Sequence, residues 1–205
     1  MITLYTANTP NGVKVTIMME ELGEPYELKM LNLGAGDQKQ PDYLKINPNG
    51  RIPAIVDHID GQDIRVFESG AALLYLAEKF DKLLPTNAAE RIEAIAWTYF
   101  QTGGIGPMMG QAGFFKNNFP DFAPGFERYF KESERLVSVM DDRLAERNFL
   151  AGDDYSIADI MHIGWLNRAP DYMGLDMDKF PHVRDWRARI LARPGVQKGL
   201  SVLQQ

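Results

Sequence analysis

The stretch RIPAIVDHIDGQDIRVFESG, residues 51–70, reads as two strands and the opening of a helix. Ala54-Ile55-Val56 and Ile64-Arg65-Val66 are short β-prone runs. They flank Asp60-Gly61, a dipeptide suited to the positive φ angles of a tight hairpin turn. Pro53 stands at the entrance of the first run, where a missing ladder donor is tolerated. Ser69 then heads a helical pattern with Ala72, Leu73, Leu76 and Phe80 at three- and four-residue steps.

Working back from residue 51, the order completes itself. Residues 2–5 form a short apolar strand that ends at the turn formers Asn8-Thr9-Pro10-Asn11-Gly12. A helix follows over about residues 11–22, with Val13, Ile17 and Met18 on one stripe. Gly23 and Pro25 stop it. Tyr26-Glu27-Leu28-Lys29-Met30 alternates at period two, as a half-buried strand does. The result is β-α-β, a connector and β-β-α, an α/β layer with strands in both directions.

Working forward from residue 70, helices follow. Residues 82–87, with Pro85, read as a linker between a domain over 1–81 and an all-helical domain over 88–205. Ile92, Ile95, Ala96 and Tyr99 make one stripe. Gly103-Gly104-Ile105-Gly106-Pro107 should break or kink that helix. A long amphipathic helix carries Phe126, Tyr129, Phe130, Leu136, Val137, Met140 and Leu144. Residues 157–166 are apolar nearly all round, so a central buried helix is expected. Ser156 and Asp159 have capping-box spacing at its head, and Tyr155 and Ile160 hold the staple positions. The last helix should begin after Pro181 and stop near Arg193-Pro194-Gly195.

Composition narrows the chemistry. The 205 residues include no cysteine, which excludes a disulfide scaffold, a zinc–thiolate site and an enzyme-borne Cys nucleophile. A formal net charge of −6 makes the chain a poor general partner for nucleic acid or anionic membranes. His58, His162 and His182 are scattered and show no metal-ligand spacing. The first residues lack a leader pattern and no apolar run reaches spanning length, so the cytoplasm is the expected location.

Three short motifs could carry chemistry. Ile52-Pro53, with a cis bond, would turn the Ile52 peptide groups toward a cleft, where an extended ligand could pair with them. It could equally be an ordinary trans strand start. Glu68-Ser69 could hold an α-amino-acid group: the carboxylate would meet the helix N-terminus and the Ser69 hydroxyl, and the ammonium would meet Glu68. Simple capping is the alternative. Thr9-Pro10-Asn11 opens the first helix, where aligned donors could stabilise a thiolate; a capped helix is again the alternative. Lowering a thiol pKa by about two units takes roughly 2.7 kcal/mol of preference for the anion, which several donors could supply. Tyr5 could also face a thiolate, or be a core tyrosine.

Together these motifs resemble the cytosolic glutathione S-transferase superfamily over essentially the whole chain. Ile52-Pro53, Glu68-Ser69 and Ser156-Ile157-Ala158-Asp159 carry the likeness. A narrower likeness is to the bacterial Nu-class enzymes, described as glutathione-dependent disulfide-bond oxidoreductases. It rests on Thr9-Pro10-Asn11-Gly12-Val13-Lys14-Val15, Gly36-Asp37-Gln38, Asn47-Pro48-Asn49, Phe67-Glu68-Ser69-Gly70 and residues 101–108.

The resemblance implies a thioredoxin-like domain with a mixed four-stranded sheet, followed by the helical domain. It implies glutathione, reduced or oxidised, as cosubstrate. The Ile52 backbone, with Pro53 cis, would pair with its cysteinyl part, Glu68 and Ser69 would hold the γ-glutamyl end, and Gln38 would contact the glycyl end. Thr9 and Asn11 would face the sulfur. Arg128 would reach glutathione from the helical domain, and Lys14 would serve a second ligand. Tyr99, Met108, Phe114 and Phe115 would supply a hydrophobic pocket, and the protein would be a homodimer. The expected activity is disulfide reduction. Conjugation of electrophiles, peroxide reduction and a non-catalytic glutathione-binding module are the other readings.

Overall fold

The computed structural model describes residues 1–204. It divides into two compact units, Met1–Lys82 together with 192–204, and Leu83–Leu191. The first holds a four-stranded sheet with strands β1 (Ile2–Thr6), β2 (Tyr26–Met30), β3 (Ala54–Ile59) and β4 (Gln62–Phe67). Their order is β2-β1-β3-β4. β1 is parallel to β2 and antiparallel to β3, and β3 and β4 form a hairpin. Asp60 and Gly61 both take positive φ, 31° and 84°, as the two-residue turn requires.

Helix α1 (Gly12–Leu22) ends at Gly23, whose φ of 74° closes the last turn. A single-turn helix α2 (Pro41–Leu44) interrupts the connector before β3. Helix α3 (Ser69–Phe80) is fastened to the sheet through Asp57 of β3. This carboxylate is fully buried and meets Lys79 Nζ at 2.5 Å and the Tyr75 hydroxyl at 2.6 Å. Burial pushes the Asp57 carboxyl up, but the two donors outweigh it and hold it below the usual range.

The second unit contains α4 (Ala88–Phe100), α5 (Gly106–Asn118), α6 (Ala123–Leu144), α7 (Ile157–Met173) and α8 (Pro181–Leu191). The glycine-rich segment expected to break or kink a helix does not break it but widens it: Gln101–Ile105 is a π-helical turn running directly into α5. Pro107 lies in the first turn of α5, directly after the π turn.

α7 runs past the expected residue 166, and its core position is as expected, with Ile160, Met161 and Ile163 fully buried. Its capping box is formed. Ala158 N–H donates to Ser156 Oγ at 3.3 Å, and Ser156 N–H to Asp159 Oδ2 at 3.0 Å. Asp159 also accepts from Leu150 N–H at 3.2 Å and Trp186 Nε1 at 2.8 Å, joining three segments.

The chain after Leu191 differs from the expected division, which placed it in the helical domain over 88–205. Pro194–Ser201 forms a further helix, α9, and packs on α1 of the first unit. Thr16 Oγ1 donates to the Gly199 carbonyl at 2.6 Å. Arg193 clasps Glu21 through two bonds, of 2.9 and 2.7 Å. Pro194 opens a helix here because its fixed φ suits the first helical position. Among the described residues, no helix is long and apolar enough to cross a membrane, and no three His, Cys, Asp or Glu cluster as metal ligands.

Candidate active site

The sheet register brings the three sequence motifs to one edge. Ala54 pairs with Tyr5 on one side and Phe67 on the other. The chain therefore leaves β1 toward Thr9-Asn11, enters β3 from Ile52-Pro53 and leaves β4 into Glu68-Ser69, all at the same end of the sheet. Asn11, Asn47, Asn49, Arg51, Ile52, Pro53, Glu68 and Ser69 line one cleft of about 260 Å³ there. Typical small-ligand pockets hold about 300–1,000 Å³. This volume suits one amino-acid portion of a ligand.

At the head of α1, Gly12 N–H donates to Thr9 Oγ1 at 3.0 Å, and Val13 N–H to the Thr9 carbonyl at 3.1 Å. Because Thr9 Oγ1 accepts from the backbone, its own hydrogen is left for another acceptor. Gly12 is obligatory, since a Cβ there would overlap the Ala7 carbonyl oxygen. Tyr5 is half-buried, its ring 5.8 Å from that of Tyr43.

The Ile52–Pro53 peptide is cis. The β3 register begins only at Ala54, which leaves the Ile52 peptide groups outside the ladder. Glu68 has φ 69° and ψ 121°, a conformation that costs an L-residue about 1–3 kcal/mol. Ser69 follows as the first residue of α3, whose opening N–H groups have no intrahelical acceptor. A carboxylate, a hydroxyl and a helix N-terminus thus share one wall.

Lys14 belongs to this wall from beneath. It is 1% exposed, and its ammonium donates to Ser69 Oγ at 3.4 Å. Gln38 lies on a 3₁₀ turn, Asp37–Lys39, outside the cleft lining but against its loop: its carbonyl oxygen would be 2.8 Å from a Cβ on Gly50. Gln38 Nε2 donates to the Leu33 carbonyl at 3.3 Å, and its buried Oε1 has no partner among the described residues. Arg128 is exposed on α6, in the second unit; Tyr99 of α4 and Phe114 of α5 are exposed there too, and Met108 and Phe115 of α5 are half-buried.

A polar cluster behind the cleft was missed in the sequence. The Arg51 carbonyl accepts from the Tyr43 hydroxyl at 2.6 Å and from Asn47 Nδ2 at 2.7 Å, while Asn49 N–H donates to Asn47 Oδ1 at 3.0 Å. Burial pushes the Tyr43 phenol up to about 12. Asn47-Pro48-Asn49 enters only as part of the Nu-class likeness, which says nothing of the bonds that fix the residues before Ile52-Pro53.

Residues 1–78 match the family model for the glutathione S-transferase N-terminal domain, and residues 111–194 that for the C-terminal domain. The chain belongs to the glutathione S-transferase family. The chain is similar to the disulfide-bond oxidoreductase YfcG of Escherichia coli, at 43% identity over 98% of this chain and 94% of that one. It is 39% identical to the disulfide-bond oxidoreductase YghU of the same organism, over 97% and 73%. A glutathione transferase from Burkholderia graminis with two glutathione molecules bound per subunit is 44% identical, over 97% and 87%, at a TM-score of 0.90. One from Pseudomonas putida with one glutathione disulfide bound per subunit is 40% identical, over 98% and 91%, at 0.91. The fold is the expected one: a mixed four-stranded sheet domain, then helices.

Proposed function

We propose that this transferase is a glutathione-dependent disulfide-bond reductase. The observation that carries the reading is the meeting of Asn11, Ile52-Pro53 and Glu68-Ser69 in one cleft of a chain that has no cysteine. Such a chain must take its nucleophilic sulfur from a bound molecule. The disulfide-bond oxidoreductases YfcG and YghU, and the neighbours with glutathione or its disulfide bound, support the same choice.

Glutathione supplies the thiolate that attacks a substrate disulfide. The chain's residues do the rest. Glu68 holds the ligand ammonium, while Ser69 and the first N–H groups of α3 hold its carboxylate. Ile52 pairs backbone to backbone with the extended ligand. Thr9 and Asn11 donate to the sulfur at the α1 N-terminus and favour its anion. Gln38 binds the glycyl end, and Arg128 adds a charge-assisted contact to a ligand carboxylate. A second ligand in the cleft would make sulfur exchange nearly unimolecular.

We also take the protein to be a cytoplasmic homodimer. Ile92 and Tyr99, one face of α4 at 61% and 72% exposure, are surface that a second copy would cover. Size-exclusion with light scattering tests this, and a monomer at micromolar concentration would rule it out.

The decisive assay gives purified protein glutathione and a small dialkyl disulfide, then glutathione and an aryl halide. Turnover of the disulfide alone is expected. Turnover of the aryl halide alone would make conjugation the activity, and glutathione binding without turnover would make the chain a binding module. Asn11→Ala is expected to lower kcat at least about tenfold, with a smaller change in glutathione Kd. Unchanged disulfide turnover would remove Asn11 from the mechanism. Arg128→Ala should weaken glutathione binding about tenfold, the scale of one charge-assisted bond, without lowering Tm. An unchanged Kd would refute the assignment.

A further inference from the structure

Lys14 is the one lysine among the fully buried side chains, and its ammonium lies against Ser69 Oγ. At 1% exposure it cannot present its charge to a ligand in the open cleft. It acts through its neighbours. An ammonium can only donate, so the Ser69 oxygen that accepts from it must direct its own O–H elsewhere, toward the cleft. A neutral amine has a lone pair. It can accept from Ser69, which would turn the hydroxyl hydrogen inward and leave oxygen lone pairs facing the ligand.

We infer that Lys14 is a positioning residue and a charge-controlled switch for the amino-acid end of the ligand, setting whether Ser69 presents a donor or lone pairs to the ligand carboxylate. The inference rests on the glutathione reading of the cleft and adds a regulation to it.

The surroundings put this switch in reach of ordinary pH. Burial lowers the Lys14 ammonium to about 7, and the Glu68 carboxylate partly opposes the fall. The charge is therefore present below that value and lost above it. The Glu68 carboxylate acts on Lys14. Elsewhere on the elements packed against α1, Tyr75 and Lys79 of α3 bond Asp57. Lys198 of α9, and Arg193 just before it, pair with Glu20 and Glu21 at the far end of α1. Glu78 of α3 and Tyr5 of β1 are the other titratable groups on those elements, and Lys82 and Tyr26 bond Leu22 and Glu20 at the far end of α1. Once seated, a ligand carboxylate favours the charged form of Lys14, so binding above neutral pH takes up a proton.

The probe is S-methylglutathione, whose blocked sulfur does not titrate, with Kd measured by calorimetry from pH 6 to 9. Lys14→Met is expected to bind about tenfold more weakly than the unaltered protein at pH 6, the scale of a lost hydrogen bond to a charged group. The two should converge by pH 9. Ser69→Ala should remove the pH-dependent difference between Lys and Met at position 14. At saturating glutathione, Lys14→Met should keep its kcat while its KM for glutathione rises. A Kd ratio that stays constant with pH would overturn the switch and leave the cleft assignment standing. Absence of S-methylglutathione binding by the unaltered protein at every pH would overturn both. If Lys14→Met does not fold, the unaltered protein still decides: heats of binding at pH 7.5 in phosphate and in Tris should differ by a fractional proton uptake, which Ser69→Ala should abolish. Equal uptake in both proteins would overturn the inference.

Discussion

Asp159→Ala should destabilise the protein by about 3–5 kcal/mol, because it leaves several buried donors without an acceptor, each costing about 1–3 kcal/mol. The carboxylate is fully buried and accepts from Leu150 N–H, Ser156 N–H and Trp186 Nε1. It also completes the box that starts the most buried helix of the second unit. At about 2–4 °C per kcal/mol for a chain of this size, Tm should fall by about 10 °C. A fall of less than about 3 °C would show that water or a shifted backbone replaces the carboxylate at little cost.

The same residue gives a signed pH dependence. Burial lifts the Asp159 carboxyl to about 6, against the pull of its hydrogen bonds from Trp186, Leu150 and Ser156. An unfolded aspartate titrates near 4. Between those values the native state binds the extra proton, so this group's contribution is fully present below about pH 4 and is lost as pH rises through about 6. Asp159→Asn removes the titration. The stability advantage of the unaltered protein over Asp159→Asn should therefore shrink by about 2 kcal/mol from pH 4 to pH 7. Urea denaturation at several pH values measures it, and a constant difference would refute the titration.

The second large effect is expected at Gly199, where α9 meets α1. A Cβ there would stand 2.5 Å from Ile17 Cα and 2.6 Å from Ile17 N. Those are backbone atoms inside a helix and cannot rotate away. Gly199→Leu should cost about 3 kcal/mol or more, the upper end for overpacking, and should break the buried bond from Thr16 to the Gly199 carbonyl. Because α1 carries Thr9 and Asn11 at its other end, glutathione binding should weaken as well. Lys198→Ala is the control. Lys198 is 69% exposed and, among the described residues, pairs with Glu20, so its loss should shift stability by less than about 0.5 kcal/mol. Equal effects of the two substitutions would show that close packing at Gly199 is not what holds α9.

Much of this was legible where the signal is local. Asp60-Gly61 declared its hairpin because both residues tolerate positive φ. Ser156 and Asp159 declared a helix start because their spacing satisfies two end donors. Residues whose role depends on distant partners stayed hidden. Nothing near Asn47 states that its amide will reach the Arg51 carbonyl beside a tyrosine from α2. The resemblance assigns Lys14 to a second ligand, and its burial shows only once α3 is placed against α1. Arg193-Pro194-Gly195 read as a stop because proline and glycine punctuate chains, yet proline can also occupy a first helical turn. Only a partner surface decides between these, and that surface is α1, far back in sequence.

That return of residues 192–204 to the first unit also orders events on the ribosome. The sheet and α1 emerge early, but the helix that completes their packing follows the whole of Leu83–Leu191. At about 5–20 residues per second, more than 100 intervening residues delay that closure by several seconds. The nascent sheet unit therefore waits with one flank of α1 uncovered, and a chain cut short within that interval would reach the cell with an unfinished core for chaperones and proteases to recognise.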